Sequence, residues 1–542
     1  MKAYLQERFL AALRGAGFAP SAPPSFEPPR DPSHGDLTTN VAMILAKEAK
    51  RNPRQLADEL VRRLELDPGL VAGVTVAGPG FINIRIADAW YQGELARILA
   101  DERNFGRTAD GAGKKAQVEF VSANPTGPLT VGHGRNAVLG DTLANLLAWT
   151  GYAVEREYYF NDAGRQMRIL GDSVRLRYLE LLGDAAAFPE DYYQGEYIRD
   201  IAAHLVAEHG DALRAEPAEG KFKERAEKEI FADIQRSLAA LGIRFDSYFN
   251  EHTLYETGKI DEVVQECRTL GLVYEQEGAV WFRASALGGE KDKVFVKSTG
   301  EPTYRLPDIA YHREKFRRGF DLMVDVFGAD HIATYPDVLA ALTAMGYDAA
   351  RVRVVIYQFV TLVKDGEAVK MSTRKANFVT LDDLVAEVGA DVVRYFFVMR
   401  GSTSHLSFDI GLAKEQSEKN PVYYLQYAHA RISSLLRFAA EQGKGGREPD
   451  LGLLAHPAEL NLIRLLLRFP DTVRASAAAL EPHWLPEYLY GVAGAFHRFF
   501  HECRVVTEDE PLTTARLALC RAVRTVLRNG FTVLGISAPE QM

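Results

Sequence analysis

The sequence predicts an α/β protein: a doubly wound parallel-sheet (Rossmann-like) domain, with a small α/β domain ahead of it and an all-α helical bundle behind it. Three observations carry that prediction. From Ala116 onward β-branched runs alternate with amphipathic helices: Val118 to Val121, a helix to Trp149, Tyr152 to Phe160, Leu322 to Phe327 and Val352 to Phe359. This is the rhythm of parallel strands joined by crossovers. From about residue 411 the periodicity is helical with almost no strand signal. Finally, 542 residues, 47% of them apolar, exceed what one core holds. The expected division is 1–110, 111–410 with an insertion at about 175–300, and 411–542.

In chain order, the first unit reads as an opening helix, a Pro-rich turn from Pro23 to Pro32, two amphipathic helices and the strand-like Val74 to Ile86. Asn52 before Pro53 is an N-cap and first-turn pair, and Leu56, Leu60 and Leu64 follow at helical spacing. Asp101 to Lys115, rich in Gly, Asp and Lys, reads as a linker. Charged helices such as Lys221 to Leu241 interrupt the strand-helix rhythm as an insertion. The last helix carries Arg521, Arg524 and Arg528 on one side and is expected to close in Gly530.

Composition excludes several classes. No run approaches the roughly 18 apolar residues of a membrane span, and Lys2, Glu7, Arg8 and Arg14 break the N-terminus into an amphipathic pattern. Neither export nor membrane insertion is expected, and a cytoplasmic location is. Cys267, Cys503 and Cys520 are odd in number and far apart, which argues against a disulfide framework or a zinc site. A net charge of -9 does not advertise nucleic-acid binding, although the arginine stripe of the last helix is either a local basic face or a solvated surface.

Two segments carry chemistry. Ser122-Ala123-Asn124-Pro125-Thr126-Gly127-Pro128-Leu129-Thr130-Val131-Gly132-His133-Gly134 leads from a strand into a helix. Such a turn brings a phosphate against free backbone N–H groups and the helix dipole; Gly132 and Gly134 allow close approach, and His133 can donate to a phosphate oxygen. By itself it is equally a structural turn. Lys364-Asp365-Gly366-Glu367-Ala368-Val369-Lys370-Met371-Ser372-Thr373-Arg374-Lys375 is a basic, Gly-containing loop about 240 residues further on. Alone it reads as solvated surface; paired with the first segment, its cations suit a leaving pyrophosphate.

The first segment resembles the HIGH signature of class I aminoacyl-tRNA synthetases in the form found in arginyl-tRNA synthetases, with Thr130 at the place of the first histidine. The second resembles the KMSKS loop: Lys370 matches its first lysine, and Thr373 stands where the second is usual. The resemblance implies ATP, with Mg2+ carried by the nucleotide and no protein-only metal site. It implies ATP binding by Pro125, Thr130, Gly132, His133, Gly134, Met371 and Ser372, and catalytic roles for His133, Lys370, Arg374 and Lys375. A TxGH-type turn also occurs in small-metabolite nucleotidyltransferases, an alternative that explains neither the second loop nor the helical bundle. A second alternative, motivated by Thr130 and Thr373, is a synthetase-derived protein that holds tRNA without charging it.

An arginine pocket must neutralise a planar cation that keeps its proton, so it needs carboxylates. Segments resembling the arginyl enzymes offer them: Ser122 and Asn124 for the α-amino end, Glu251, Tyr304 and Asp308 for the guanidinium, and Glu119 in support. Tyr304 and Asp308, four residues apart, share a face if helical. Gly328-Ala329-Asp330-His331 resembles a segment bordering that pocket. The implied partners are L-arginine and tRNA(Arg), bound by a monomer. Phe81 and Asn83 of Gly78 to Arg85 are expected at the tRNA elbow, and Tyr427 and Arg431 of Tyr423 to Arg431 near the anticodon.

Overall fold

The structure, a computed structural model, describes the chain apart from residues 21, 163, 185–186, 365 and 370–378. Its centre is a five-stranded parallel sheet in the order Val352–Tyr357, Leu322–Gly328, Lys115–Glu119, Ala153–Phe160, Ser247–Asn250. Val118, Val324 and Val326 are buried, as expected where helices cover both faces of such a sheet. The chain runs outward in one direction from Lys115–Glu119 and returns later to its other side at Leu322–Gly328. The strand order therefore reverses there, and a crevice opens at the carboxyl ends of those two strands.

Several expectations shift by a few residues for identifiable reasons. The first strand ends at Glu119, and Val121 (φ 64) and Ser122 (φ 42) adopt left-handed backbone. That conformation is unfavourable for a β-branched residue. It is held by Asn136, whose Oδ1 accepts from the Val121 N–H at 2.7 Å while its Nδ2 donates to the Val326 carbonyl at 2.9 Å. The segment at about 175–300 is not all insertion, because Ser247–Asn250 rejoins the sheet beside Phe160. Its period-two signal is too short to separate from the helices around it. The remainder packs the helices Glu196–His209 and Lys223–Ala240 on Arg165–Leu181, and builds an antiparallel sheet from Val273–Gln276, Ala279–Phe282 and Lys293–Val296.

Ahead of the parallel sheet, the strand-like stretch at 74–86 is a hairpin. Val71–Ala77 and Phe81–Ile86 pair antiparallel through a turn in which Gly80 (φ 138) lies so close to Pro53 that a Cβ would meet its carbonyl at 2.9 Å. Asn52 caps the helix Pro53–Arg63 as expected, accepting from the N–H groups of Arg54 and Gln55. A helix missed in the sequence, Asp88–Ala100, joins this unit to the bundle. Arg464 of the bundle reaches Asp88 at 2.7 Å and Asp36 at 3.4 Å and lies over the Tyr91 ring.

The bundle comprises Pro421–Glu441, Pro457–Leu466, Phe469–Ala479, Trp484–Glu502 and Glu510–Leu534. Its last helix runs through Gly530 and stops at Gly535 (φ 69). Gly530 is interior because a Cβ there would meet Leu489 of the facing helix at 2.5 Å. The arginines of that helix are half-buried, and Arg528 donates to the Glu102 carbonyl at 3.1 Å, so they are not a freely solvated stripe. Among the described residues no helix is long and apolar enough to cross a membrane.

Candidate active site

The HIGH-like turn occupies the crevice at the strand-order reversal. Thr130 is the N-cap of the helix Val131–Trp149, and the capping is reciprocal: its Oγ1 accepts from the His133 N–H, and the His133 Nδ1 accepts from the Thr130 N–H at 3.2 Å. A backbone N–H can only donate, so Nδ1 is the unprotonated nitrogen and Nε2 carries the proton. Burial pushes the His133 pKa down, which keeps the ring neutral. His133 therefore offers a neutral Nε2–H donor, suited to a phosphate oxygen.

The glycines of the turn divide their work. Around a Cβ on Gly132 the nearest atom is Thr130 Oγ1 at 3.6 Å, so that position faces open space. At Gly134 a Cβ would meet Leu381 Cδ1 at 2.5 Å and Phe397 Cε2 at 3.0 Å. Gly134 thus serves helix packing, not close approach of a nucleotide. Gly127 is bare because the Tyr197 hydroxyl, which donates to the Thr126 carbonyl at 2.6 Å, covers it. Pro125 is buried within the turn.

The KMSKS-like residues Lys370, Met371, Ser372, Thr373, Arg374 and Lys375 lie outside the described residues. The segments flanking them are tied to the turn. Thr380 bridges Thr130, the Leu381 N–H donates to the Leu129 carbonyl at 2.8 Å, and Thr380 caps the helix Leu381–Val388. Arg135, fully buried, donates to the carbonyls of Gln358 at 2.6 Å, Ser404 at 3.0 Å and Gly401 at 3.1 Å. The loop thus leaves from and returns to elements locked onto the helix that carries His133.

The carboxylates expected for arginine gather across the crevice, with different partners. Glu251 follows Ser247–Asn250 and accepts from the Tyr159 hydroxyl at 2.9 Å and the Tyr255 hydroxyl at 3.4 Å; burial raises its pKa. Asp308, in the first turn of the helix Arg305–Arg317, is pushed up to about 7, chiefly by burial and further by Glu119 and Glu251. Among the described residues no cation forms a salt bridge with its carboxylate, and His312 and Lys315 act on it only as nearby charges. Glu119 differs: Lys315 holds it at 2.6 Å and Ser122 donates to it at 3.1 Å, so it already has a cation inside the protein, although burial raises its pKa. The Ser122 hydroxyl also accepts from the Tyr159 N–H at 3.1 Å, and the Asn124 amide donates to Gln166 at 2.5 Å.

Tyr304 does not share a covered face with Asp308. It precedes the helix and is 80% exposed. The tyrosines that do meet the carboxylates are Tyr159 and Tyr255, which sequence reasoning missed because a strand tyrosine beside Phe160 reads as core. It also missed His312 and Lys315, although their spacing from Asp308 puts them on its helix face. Asp330 and His331 lie beyond Leu322–Gly328, with the His331 ring stacked on Phe327.

Away from the crevice, Phe81 is 38% exposed whereas Asn83 is 5% exposed in the middle strand of its sheet, so Phe81 alone of the pair presents open surface. Tyr427 stacks on Tyr423 and on His497, and Arg431 lies over Phe500 at 4.0 Å, all half-buried on one side of the bundle. Among the described residues no group of three or more His, Cys, Asp or Glu is placed to hold a metal ion.

Comparison with known proteins bears directly on this geometry. Residues 94–394 match the family model for the class I (R) tRNA synthetase catalytic domain, residues 3–86 the arginyl-tRNA synthetase N-terminal domain, and residues 425–542 the DALR anticodon binding domain. The chain belongs to the arginyl-tRNA synthetase family. The arginine–tRNA ligase of Desulfotalea psychrophila is 54% identical over 95% of this chain and 94% of its own length. That of Salinibacter ruber is 54% identical over the whole of both. The fold is also that of the Thermus thermophilus arginyl-tRNA synthetase, with a TM-score of 0.78 at 23% identity over the full length of both chains. Within the arginyl-tRNA synthetase family, then, the crevice between the HIGH-like turn and the Asp308 helix is the candidate catalytic centre.

Proposed function

We propose that this arginine–tRNA ligase works in two steps in the crevice: the arginine carboxylate attacks the α-phosphorus of ATP to give arginyl-adenylate and pyrophosphate, and the terminal ribose of tRNA(Arg) then takes the arginyl group and releases AMP. The observation that supports arginine most directly is the pair Glu251 and Asp308, two carboxylates that form no salt bridge among the described residues and face one crevice. A guanidinium supplies the missing positive charge and donates in a planar fork that carboxylates match. In this reading Asp308 and Glu251 hold the guanidinium. Tyr159 and Tyr255 orient Glu251; Ser122 and Asn124 border the α-amino end, and Glu119 supports through its bond to Ser122. Tyr304, exposed just ahead of the Asp308 helix, is left to cover a bound arginine.

On the nucleotide side, the helix N-terminus at Thr130 and Gly132 receives phosphate oxygens, and the neutral His133 donates through Nε2. Lys370, Arg374 and Lys375, with Met371 and Ser372, close on the pyrophosphate as charge develops. No protein nucleophile takes part: the chemistry is positioning and electrostatic stabilisation. ATP is the energy source, and Mg2+ enters as the counter-ion of its phosphates.

The reading extends to the whole chain. Residues 1–110 form a module that meets the tRNA elbow through Phe81 and Asn83; residues 111–410 form the catalytic unit; residues 411–542 bind the anticodon around Tyr427 and Arg431. The enzyme acts as a cytoplasmic monomer. Charging unfractionated tRNA with each of the twenty amino acids in the presence of ATP and Mg2+ tests the central claim. Arginine alone should become acid-precipitable; another amino acid would overturn the pocket, and no charging at all would overturn the reaction.

A further inference from the structure

We propose that His312 is a positioning residue for arginine: it sits beneath the pocket as an imidazolium, pins the helical turn that carries Asp308, and supplies the positive charge that keeps Asp308 ready to receive a guanidinium. This rests on the reading of Asp308 as a guanidinium partner. His312 is 5% exposed, one helical turn after Asp308. Its Nδ1 lies 2.7 Å from the Asp308 carbonyl oxygen and its Nε2 lies 2.9 Å from an Asp325 carboxylate oxygen. A carbonyl can only accept. Asp325 likewise can only accept, because burial is outweighed there by Lys315 at 2.6 Å and by His312, and its carboxyl falls well below the usual range. Both ring nitrogens face acceptors, so both carry protons.

The surrounding charges agree. Burial and Lys315 push His312 down, and Asp325 and Glu119 overcome them, leaving it above the ordinary histidine value. The groups that face this cluster come from three elements: Asp325 from Leu322–Gly328, Glu119 from Lys115–Glu119, and Lys315 with Tyr311 from the Arg305–Arg317 helix. Asp325 is the carboxylate that both His312 and Lys315 reach, whereas burial and Asp325 raise the pKa of Glu119 despite Lys315. Above this cluster Asp308 faces Glu119, Glu251, His312, Lys315 and the hydroxyls of Tyr159 and Tyr255. A neutral residue at position 312 would take away a positive neighbour that favours the charged form of Asp308. Its loss favours the protonated carboxylic acid, which repels no neighbour and attracts no guanidinium.

His312→Gln keeps an amide donor for one of the two acceptors and removes the charge. Initial rates of tRNA charging are to be measured across pH for the full-length wild type, His312→Gln and Asp308→Asn. The expected result for His312→Gln is a rise in KM for arginine of roughly tenfold or more, with kcat and KM for ATP within about threefold. The acid limb of kcat/KM for arginine should also move up by about one pH unit. A purely structural role would not move that limb, and a limb that stays in place overturns the proposal. If Asp308→Asn leaves KM for arginine unchanged, the pocket itself is misassigned; if it raises KM while His312→Gln is silent, only the role of His312 falls. Should His312→Gln fail to fold, the wild type labelled with 15N-histidine decides: one ring must keep both nitrogens protonated at about pH 8, and thirteen neutral rings would overturn the proposal.

Discussion

Asp308 holds a charge that the folded protein disfavours until a ligand arrives. Its pKa is pushed up to about 7 by burial and by Glu119 and Glu251, so in the proposed role a guanidinium must find it ionised. With arginine limiting, kcat/KM should therefore fall about tenfold per pH unit below roughly 7, a slope readable in a pH profile of charging. Replacing Asp308 by Ala should weaken arginine binding by about 2 kcal/mol or more, the scale of a buried charge left without its partner. The check is KM for arginine at fixed tRNA and ATP. Stability moves the opposite way. A carboxyl whose folded pKa lies above its unfolded value of 3.8 contributes stability that is full below that value and lost as pH rises through about 7. Asp308→Asn should thus melt higher than wild type at pH 8 without arginine, while losing the stabilisation that arginine gives the wild type.

At the scale of elements, the site depends on how the Val131–Trp149 helix meets its neighbours. Thr130→Ala removes the side-chain half of the cap and should cost about 1 kcal/mol of stability. The Thr130 N–H that donates to the His133 ring is kept, but the first turn that carries the ring is loosened, so ATP–pyrophosphate exchange in the presence of tRNA should slow more than KM for tRNA changes. Gly134→Ala places a Cβ 2.5 Å from Leu381, at the start of the helix that follows the KMSKS-like loop. The two helices must separate or shift, at about 1–3 kcal/mol. Urea unfolding should show the loss, together with a lower kcat.

Across the whole molecule, two arginines hold the parts in register. Arg394 is buried and donates to the Leu534 carbonyl at 2.8 Å, the Leu241 carbonyl at 2.8 Å and Asp141 at 2.5 Å. It joins the end of the last bundle helix, the end of the Lys223–Ala240 helix and the helix of the HIGH-like turn. Gly535 is bare because a Cβ would meet this guanidinium at 2.1 Å. Arg464 joins the bundle to Asp36 and Asp88 at the other end. Arg464→Ala should raise KM for tRNA several-fold while leaving KM for arginine unchanged, because it loosens the angle between the outer modules without reaching the crevice. Steady-state charging with tRNA and then arginine varied separates the two constants.

The sequence by itself determined the class of the protein and the order of its parts. Local signals suffice for that: a strand leading into Thr130–Gly134, a parallel rhythm on either side, Asn52 before Pro53, and helical periodicity to the end. By resemblance it also led to the expectation that carboxylates at Glu251 and Asp308 belong with that turn. Only the tertiary structure decided which groups are free to bind. Glu119, Glu251 and Asp308 are all acidic, yet Lys315 forms a salt bridge with the first, while among the described residues the other two have none. Gly132 and Gly134 look alike, yet one faces open space and the other faces Leu381. Tyr304 stands in solvent while Tyr159 and Tyr255 reach Glu251. The difference is physical: secondary structure follows from neighbours along the chain, whereas the charge, exposure and protonation of a site are set by residues that folding brings from far away.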